Sequence, residues 1–152
     1  MKLDATDIRL LALLQADAQM TAQDLGDRLN LSSSQAGRRR LRLEQAGVIT
    51  HYAARLDPAR LGLDVQAFVQ VQLVTHGPEP GRDFARLVAT RPEIVGAWTL
   101  TGEADYLLRV WTADLAGLNS LIHDEILAHP GVGRVQSQIV MDQLKKDAAL
   151  PL

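Results

Sequence analysis

The sequence predicts an α+β protein made of two small domains, a helical one first and a mixed one second. Apolar residues recur at helical spacing up to about residue 50, whereas from Val65 onwards they occupy alternate positions, as in strands. A chain of 152 residues allows either one domain of ordinary size or two small ones, and the change of pattern favours two.

Composition excludes several classes of protein. The chain has no cysteine, which excludes disulfide bonds and thiolate metal sites. No apolar run reaches about 18 residues and the N-terminus does not resemble a signal peptide, so the sequence predicts neither export nor a membrane partner. We therefore expect a cytoplasmic protein.

The first 50 residues predict three helices around one small core, the last two joined as a helix-turn-helix. Asp4, Thr21 and Ser32 are each followed three residues later by a side chain able to complete a capping box. Asn30 tolerates the left-handed backbone that ends a helix, and Gly47 is suited to stop the last one.

Positive charge is concentrated around the second helix of the helix-turn-helix. Residues 28–43 contain five arginines and no acidic residue, although the chain has a formal net charge of −2. A local basic stripe attracts phosphates without making the whole molecule adhere to nucleic acid. The pattern therefore indicates DNA binding, with a solvated charged helix face as the alternative.

Candidate DNA contacts follow from position on this helix. The N-terminal part of the second helix of such a motif meets base edges, so Ser34, Gln35 and Arg38 are the candidate base readers. The remaining arginines are expected to contact phosphates, unless Arg39 or Arg40 forms an internal ion pair. The sequence favours neither role for Arg39. The predicted DNA-binding residues are Ser33, Ser34, Gln35, Arg38, Arg39 and Arg42.

Two glycines lie inside these predicted helices. Gly26 is small enough to let two helices cross closely. Gly37 costs about 1 kcal/mol relative to alanine, and only close approach to a neighbouring helix or to a DNA backbone accounts for it.

A linker strand is predicted between the two domains. Residues 48–56 alternate in hydrophobicity and precede Asp57-Pro58, which indicates a strand that leaves the helical unit. We expect a DNA-binding domain over residues 1–50, a linker strand over 51–62, a second domain over 63–146 and a tail over 147–152. The tail is apolar enough to pack on a neighbour, but it could equally be frayed.

The second domain is predicted to contain strand, helix, strand, strand, helix and strand, in that order. The alternation from Val65 to Leu73 predicts the first strand, and Phe84, Leu87 and Val88 have helical spacing. The remaining elements are strands over residues 94–101, 106–112 and 132–144 and a helix capped by Asp114. This order is that of a ferredoxin-like βαββαβ sandwich, with both helices on one face of an antiparallel sheet.

The other face of this sheet is predicted to be apolar and aromatic. By alternation it carries Phe68, Trp98, Leu100, Leu107 and Trp111 among glutamines. Such a face is rarely left in water, so we expect a second subunit to cover it.

Four stretches of the sequence together resemble the Lrp/AsnC family of feast/famine regulators. They are LDATDIRLLALLQADAQMT from Leu3, SSSQAGRRRLRLEQAGVI from Ser32, TGEADYLLRV from Thr101 and VGRVQSQIVMDQLKK from Val132. The resemblance spans nearly the whole chain and implies a winged helix-turn-helix joined to an amino-acid-sensing domain. It further implies homodimers that associate into tetramers or octamers, bind double-stranded DNA upstream of metabolic genes and respond to a small amino acid held between dimers.

The resemblance also assigns an effector-binding turn to the predicted hairpin. Its residues are Thr101, Gly102, Glu103, Ala104, Asp105 and Tyr106, and Ser137 on the last strand matches a position that often carries a hydroxyl near the same pocket. A glycine turn offers free backbone N–H groups to a carboxylate, and Asp105 can pair with an α-ammonium group. From the residues alone, a plain hairpin turn is the alternative. No cofactor other than this effector is expected.

An enzyme is the main competing class. The chain has four histidines, His51, His76, His123 and His129, and many carboxylates that could supply acids, bases or metal ligands. No second histidine follows His123 at three or four residues, and no serine-hydrolase, phosphate-loop or cysteine-nucleophile motif occurs. We therefore expect no catalytic or metal site. An effector-independent architectural DNA-binding protein and an amino-acid-binding module without a specific DNA role remain as alternatives.

Overall fold

The computed structural model describes residues 2–75 and 77–152, so His76 lies outside the described residues. The chain forms two compact units. The first unit combines the residues up to Arg55 with Leu144–Leu152, and the second runs from Leu56 to Gln143. Both ends of the chain therefore contribute to the first unit.

Three helices form the first unit: α1 (Ala5–Ala16), α2 (Ala22–Leu29) and α3 (Ser33–Gln45). Each begins with a reciprocal capping box, in which the pairs are Asp4 with Asp7, Thr21 with Asp24, and Ser32 with Gln35. Asn30 has the left-handed backbone, with φ 56° and ψ 47°, and ends α2. The predicted helix-turn-helix is therefore confirmed.

The three helices enclose one apolar core. Its buried residues are Leu10, Leu11, Leu14, Met20, Leu25, Leu29, Ala36 and Leu43. The turn between α2 and α3 lies directly against Gly26, because a Cβ atom at this position would be 2.7 Å from the carbonyl oxygen of Leu31. The close approach predicted for Gly26 is thus to the backbone of the turn.

The end of the chain packs on α1. The Leu150 N–H donates to Oε1 of Gln15 at 2.6 Å, and the Leu150 carbonyl accepts from Nε2 of the same side chain at 3.2 Å. Leu150 and Leu152 also line a cavity of about 390 Å³, together with apolar side chains of α1 and with Val48 and Ile49. The Gln15 amide thus holds both polar groups of one tail residue.

The predicted linker strand is wrong. Residues 51–57 have no regular secondary structure, and a single 3₁₀ turn follows at Ala59–Leu61. A strand forms where a neighbouring strand supplies hydrogen-bond partners, and the four-stranded sheet of the chain does not include this segment. Tyr52 instead contacts side chains of α3, as described below.

The second unit is a four-stranded antiparallel sheet with two helical segments. Its strands are β1 (Val65–Leu73), β2 (Ile94–Thr99), β3 (Tyr106–Thr112) and β4 (Val132–Ile139), arranged in the order β2-β3-β1-β4. The helices are α4 (Pro78–Thr90) and α5 (Leu115–Ser120), which continues as a π-helical segment over Leu121–Ile126. The chain order βαββαβ is the predicted one.

Two strands are shorter than predicted. β2 stops at Thr99, where its pairing with Tyr106 ends and the chain enters the hairpin turn. β4 stops at Ile139, which pairs with Ala67, and the next backbone N–H bonds to Gln66 near the start of β1. A strand cannot extend past the partner that supplies its hydrogen bonds.

The two faces of the sheet differ as the alternation predicted. One face packs against the helices, and its buried core residues are Ala67, Val69, Val71, Leu73, Phe84, Leu108, Val110, Leu118, Leu121 and Ile126. The opposite face carries half-buried Phe68, Leu107 and Trp111. Trp98 pairs with Leu107, and its side chain is 47% exposed. An aromatic patch is therefore left uncovered by this subunit.

Candidate functional site

The first turn of α3 presents short polar side chains outward. Ser32 caps the helix, and Ser33 and Ser34 follow it with exposed side chains. Arg38 lies one turn further on and is also exposed. Within the part of the chain that the structure describes, Arg38 has no hydrogen-bond or ion-pair partner. Its whole guanidinium group therefore remains available.

The side-chain amide of Gln35 uses its oxygen for helix capping and leaves its nitrogen for an outward contact. Its Oε1 accepts hydrogen bonds from the backbone N–H and from the hydroxyl of Ser32, at 3.0 and 3.2 Å. These bonds complete the capping box and fix the side chain at the start of α3. The Nε2 group is left to donate outward, which is one half of the bidentate contact that glutamine makes with adenine.

Two of the predicted DNA-binding arginines are bound inside the first unit. Nη1 of Arg39 lies 2.7 Å from a carboxylate oxygen of Asp4 and 2.7 Å from one of Asp7. Nη2 of Arg42 lies 2.7 Å from both carboxylate oxygens of Asp7. The bond from Arg39 is the largest cause that lowers the pKa of Asp4, and the same bond raises the pKa of Arg39.

Asp7 joins α1 to α3 at this point, and the sequence interpretation missed this role. Its side chain is only 1% exposed. A signal for it exists, because Asp7 precedes Leu10 and Leu11 by three and four residues and so shares their buried helix face. A carboxylate on such a face requires a partner, and α3 supplies two.

Arg40 is also bound internally. Its Nε donates to Oε1 of Glu44 at 3.0 Å and its Nη1 donates to the carbonyl of Met20 at 3.1 Å. The guanidinium lies over the ring of Tyr52, 4.8 Å from the centroid, and the Tyr52 hydroxyl donates to Glu44 at 2.8 Å. The hydrogen bond from Tyr52, followed by that from Arg40, lowers the pKa of Glu44. Of the two roles considered for Arg40, the structure shows the internal one.

A groove runs along this side of α3. Its volume is about 300 Å³, and it is lined by Leu31, Gln35, Arg38, Arg39 and Arg42. The groove therefore combines one apolar side chain, one amide and three guanidinium groups. Such a surface suits a phosphate-bearing ligand more than an apolar one.

The predicted effector turn joins β2 to β3 and is closed by backbone hydrogen bonds. Gly102 has φ +118°, and Thr101, Gly102 and Glu103 are exposed. The Leu100 N–H donates to the carbonyl of Asp105 at 2.8 Å. The Asp105 carboxylate is partly occupied, because its Oδ2 accepts from the backbone N–H of Leu73 at 2.7 Å.

The family models decide the identity of both units. A model of the winged helix-turn-helix DNA-binding domain matches residues 3–50, and a model of the Lrp/AsnC ligand-binding domain matches residues 66–150. The chain belongs to the Lrp/AsnC family. It is a DNA-binding transcriptional regulator with a winged helix-turn-helix and an α+β ligand-binding domain.

Relatives in this family match over nearly their full lengths. The DNA-binding transcriptional activator DecR of Escherichia coli K12 is 36% identical, over 99% of each chain. The glutamate uptake regulatory protein of Zymomonas mobilis is 32% identical, over 99% of this chain and 92% of the relative. A transcriptional regulator from Neisseria meningitidis, solved as a complex with L-methionine, superposes with a TM-score of 0.94 at 37% identity, covering 99% of this chain and 97% of that one.

The effector residues that the Lrp/AsnC resemblance assigns lie on both faces of the sheet. Glu103 and Ala104 line a small concavity on the glutamine-bearing face of the sheet, of about 30 Å³, whose other lining residues are Gln70, Val71, Gln72, Arg134 and Gln136. Tyr106 packs instead against Phe84 on the helix face, with ring centroids 4.8 Å apart. Arg134 was missed by the sequence interpretation, although it alternates with the glutamines on the last strand.

Within one subunit of this protein, Ser137 does not lie near the turn of residues 101–105. It is exposed on β4 and pairs with Val69, whose side chain lies in the helix-face core. Paired residues of antiparallel strands share a face, and β1 separates β4 from β3, so about 10 Å lies between the two strands.

Residues 2–75 and 77–152 contain no group of three or more histidine or acidic side chains placed to hold a metal ion. Among the same residues, no helix has both the length and the hydropathy that a membrane span requires.

Proposed function

We propose that this chain is a cytoplasmic, homodimeric regulator that binds specific DNA sites of amino-acid-related genes and responds to a small amino acid. The observation that carries the DNA-binding part is the exposed, capped start of α3, with Ser33, Ser34 and the unpaired Arg38 on one rigid helix. The helix fixes the backbone positions of these residues relative to one another, which favours recognition of a fixed pattern of bases. The protein acts by binding and has no catalytic role in this proposal.

DNA contact is proposed for four of the six predicted residues. Ser34, the Nε2 group of Gln35 and the Arg38 guanidinium read base edges, and Ser33 contacts the backbone at the helix start. Arg39 and Arg42 are predicted contacts whose guanidinium groups are already bonded to Asp7. We therefore leave them out of the proposed set of contacts.

The effector site is proposed at the hairpin turn of residues 101–105. The names of relatives mention glutamate uptake, and one structural neighbour contains L-methionine, which supports an amino-acid ligand. Backbone N–H groups beside Gly102 suit the carboxylate of such a ligand, while the negative charges of Glu103 and Asp105 suit its ammonium group. Tyr106 anchors the turn through Phe84. Ser137 reaches this effector only if a second subunit brings it there.

The uncovered aromatic face supports a homodimer. Phe68, Trp98, Leu107 and Trp111 share it, and burial of such a surface is a strong driving force for association. A twofold dimer presents two α3 helices to a pseudo-palindromic site, with half-sites about one helical turn or a multiple apart. Dimers that assemble further into tetramers or octamers would hold the effector between them and change DNA occupancy through assembly.

Selection from a random double-stranded DNA library tests the central claim. The purified protein should enrich a pseudo-palindrome, and the selected site should bind far more tightly than random DNA at one stated salt concentration. Arg38→Ala should remove this preference, and Arg60→Ala, an exposed arginine outside the first unit, is the control. No enrichment together with salt-sensitive binding would support the architectural alternative.

Effector binding is tested independently of DNA. Thermal unfolding is measured with each of the twenty amino acids at millimolar concentration. A ligand at 100 times its dissociation constant adds about 2.7 kcal/mol, which raises Tm by several degrees. A shift with one chemical group of amino acids supports the proposal and names the effector class. No shift with any of them contradicts the effector part.

A further inference from the structure

Asp7, the acidic residue that bonds to two arginines of α3, is buried. Asp7 lies on α1 with 1% of its side chain exposed, and its neighbours on that face belong to the apolar core. Transfer of a carboxylate from water to such a place is unfavourable unless cations and hydrogen bonds compensate it. The Arg39 and Arg42 guanidinium groups provide this compensation through three contacts of 2.7 Å.

The resulting cluster is electrically balanced. Arg39 bonds to both Asp4 and Asp7, while Arg42 bonds to Asp7 alone. Two positive charges therefore face two negative charges within hydrogen-bond distance. A phosphate that approaches this cluster meets little net positive charge, although three arginines line the adjacent groove.

Arg38 differs from these neighbours on the same helix. It precedes Arg39 directly, is exposed, and has no partner among the residues that the structure describes. Its charge is uncompensated, so a phosphate contact releases counterions without breaking any bond inside the protein. A contact from Arg42 that broke its bonds to Asp7 would leave a buried carboxylate with fewer partners.

We infer that Asp7 is a positioning residue that holds Arg39 and Arg42 away from the DNA phosphates. Arg38 is then the arginine of this groove that binds phosphates on random-sequence DNA, while at a specific site the same guanidinium reads base edges. The inference rests on the proposed function. Its consequence is weak attraction to DNA of any sequence, since two of the three charges are removed from non-specific binding. The same bonds fix α3 on α1, so the base-reading residues keep one orientation.

The salt dependence of DNA binding tests this assignment. Association with random-sequence DNA is measured for the full chain at several salt concentrations, and the slope of log K against log salt is compared between variants. Each phosphate contact contributes about 0.9 to the magnitude of this slope. Arg38→Gln should lower it by about 0.9 per subunit, and the matched variant Arg42→Gln should leave it unchanged. Equal losses in both variants would overturn the inference.

A second variant tests Asp7 directly. Asp7→Asn removes the only partner that Arg42 has among the described residues, while Arg39 keeps its bond to Asp4. The slope should therefore become steeper by about 0.9 per subunit, and random DNA should bind more tightly. A residue with a purely structural role would reduce the folded fraction and leave the slope as it was. Asp4→Asn is the control, because it leaves both Arg39 and Arg42 bonded to Asp7 and should leave the slope unchanged.

Folding of each variant is measured by thermal unfolding. Should Asp7→Asn fail to fold, the comparison of Arg38→Gln with Arg42→Gln still decides the inference. The proposed function fails if the wild-type protein shows no salt-sensitive affinity for DNA. The inference alone fails if the wild-type protein binds and Arg42→Gln loses as much slope as Arg38→Gln.

Discussion

The backbone N–H of Leu73 donates a hydrogen bond to Oδ2 of Asp105 at 2.7 Å. This bond ties the last residue of β1 to the turn between β2 and β3, and the Asp105 N–H returns a bond to the carbonyl of Val71 at 3.0 Å. Asp105 therefore holds the shape of the proposed effector turn as well as offering it a negative charge. A ligand at this turn meets a loop that is already ordered.

Replacement of Asp105 should affect stability and ligand response together. Asp105→Ala leaves the half-buried Leu73 N–H without its acceptor, which should cost about 1–3 kcal/mol of unfolding free energy. The thermal shift produced by the effector should disappear. Glu103→Ala, at an exposed position of the same turn, should keep wild-type stability. Urea unfolding and ligand titration measure both effects, and a wild-type midpoint for Asp105→Ala would contradict the role given to this bond.

Two helix glycines should respond in opposite directions to alanine. Gly26→Ala puts a Cβ 2.7 Å from the Leu31 carbonyl oxygen, and overpacking of this kind costs about 1–3 kcal/mol. Gly37→Ala meets only the Ala22 Cβ at 3.5 Å, an ordinary contact, and gains about 1 kcal/mol of helix propensity. Chemical denaturation of both variants tests the pair. Destabilisation by Gly37→Ala would show that Ala22 leaves less space beside α3 than the 3.5 Å contact indicates.

Stability should fall on acidification through Glu44. Its pKa in the folded state is below the ordinary value of 4.5, so its bonds with Tyr52 and Arg40 stabilise the folded state above that value. This contribution is lost as the pH falls below 4.5 towards the lowered pKa. The Tm difference between wild type and Glu44→Gln should therefore be present at pH 7 and shrink below pH 4.5. A constant difference down to pH 3 would count against this carboxylate as the source.

The aromatic sheet face should hold the dimer together. Trp98 is 47% exposed on that face, and Trp98→Asp should give a monomer at micromolar concentration, because a charge there opposes burial. Leu115 is 59% exposed in α5, on the helix side of the same sheet, and Leu115→Asp should remain dimeric. Light scattering distinguishes these states. A monomeric wild-type protein at this concentration would remove the basis for the proposed dimer.

Local sequence signals predicted the helix starts and the sheet faces well. The capping residues at Asp4, Thr21 and Ser32 form the expected reciprocal bonds, because a capping box involves residues only three apart. The β1 alternation places Phe68 and Val69 on opposite faces, since the strand period is two. These features depend on neighbours within a single element.

Features that depend on distant residues were not predictable in the same way. The bond between Asp7 and Arg42 joins residues 35 positions apart, so the sequence left Arg42 as a DNA contact. The helix that begins after Asp114 exposes Leu115 and buries Leu118, Leu121 and Ile126. Leu121 and Ile126 are five positions apart, and the wider turn of the π-helical segment allows both to face the core, which an α-helical pattern does not predict.

The two hydrogen bonds between the Gln15 amide and the Leu150 backbone can form only late in synthesis of the chain. Synthesis produces α1, α2 and α3 first, then the whole sheet, and only at the end the residues that bond to α1. Domains generally begin to fold from the N-terminus as the chain emerges from the ribosome. The helical unit of this protein nevertheless lacks residues 144–152 until every strand has been translated, so a nascent chain cannot complete its first unit before the whole second unit has been synthesised.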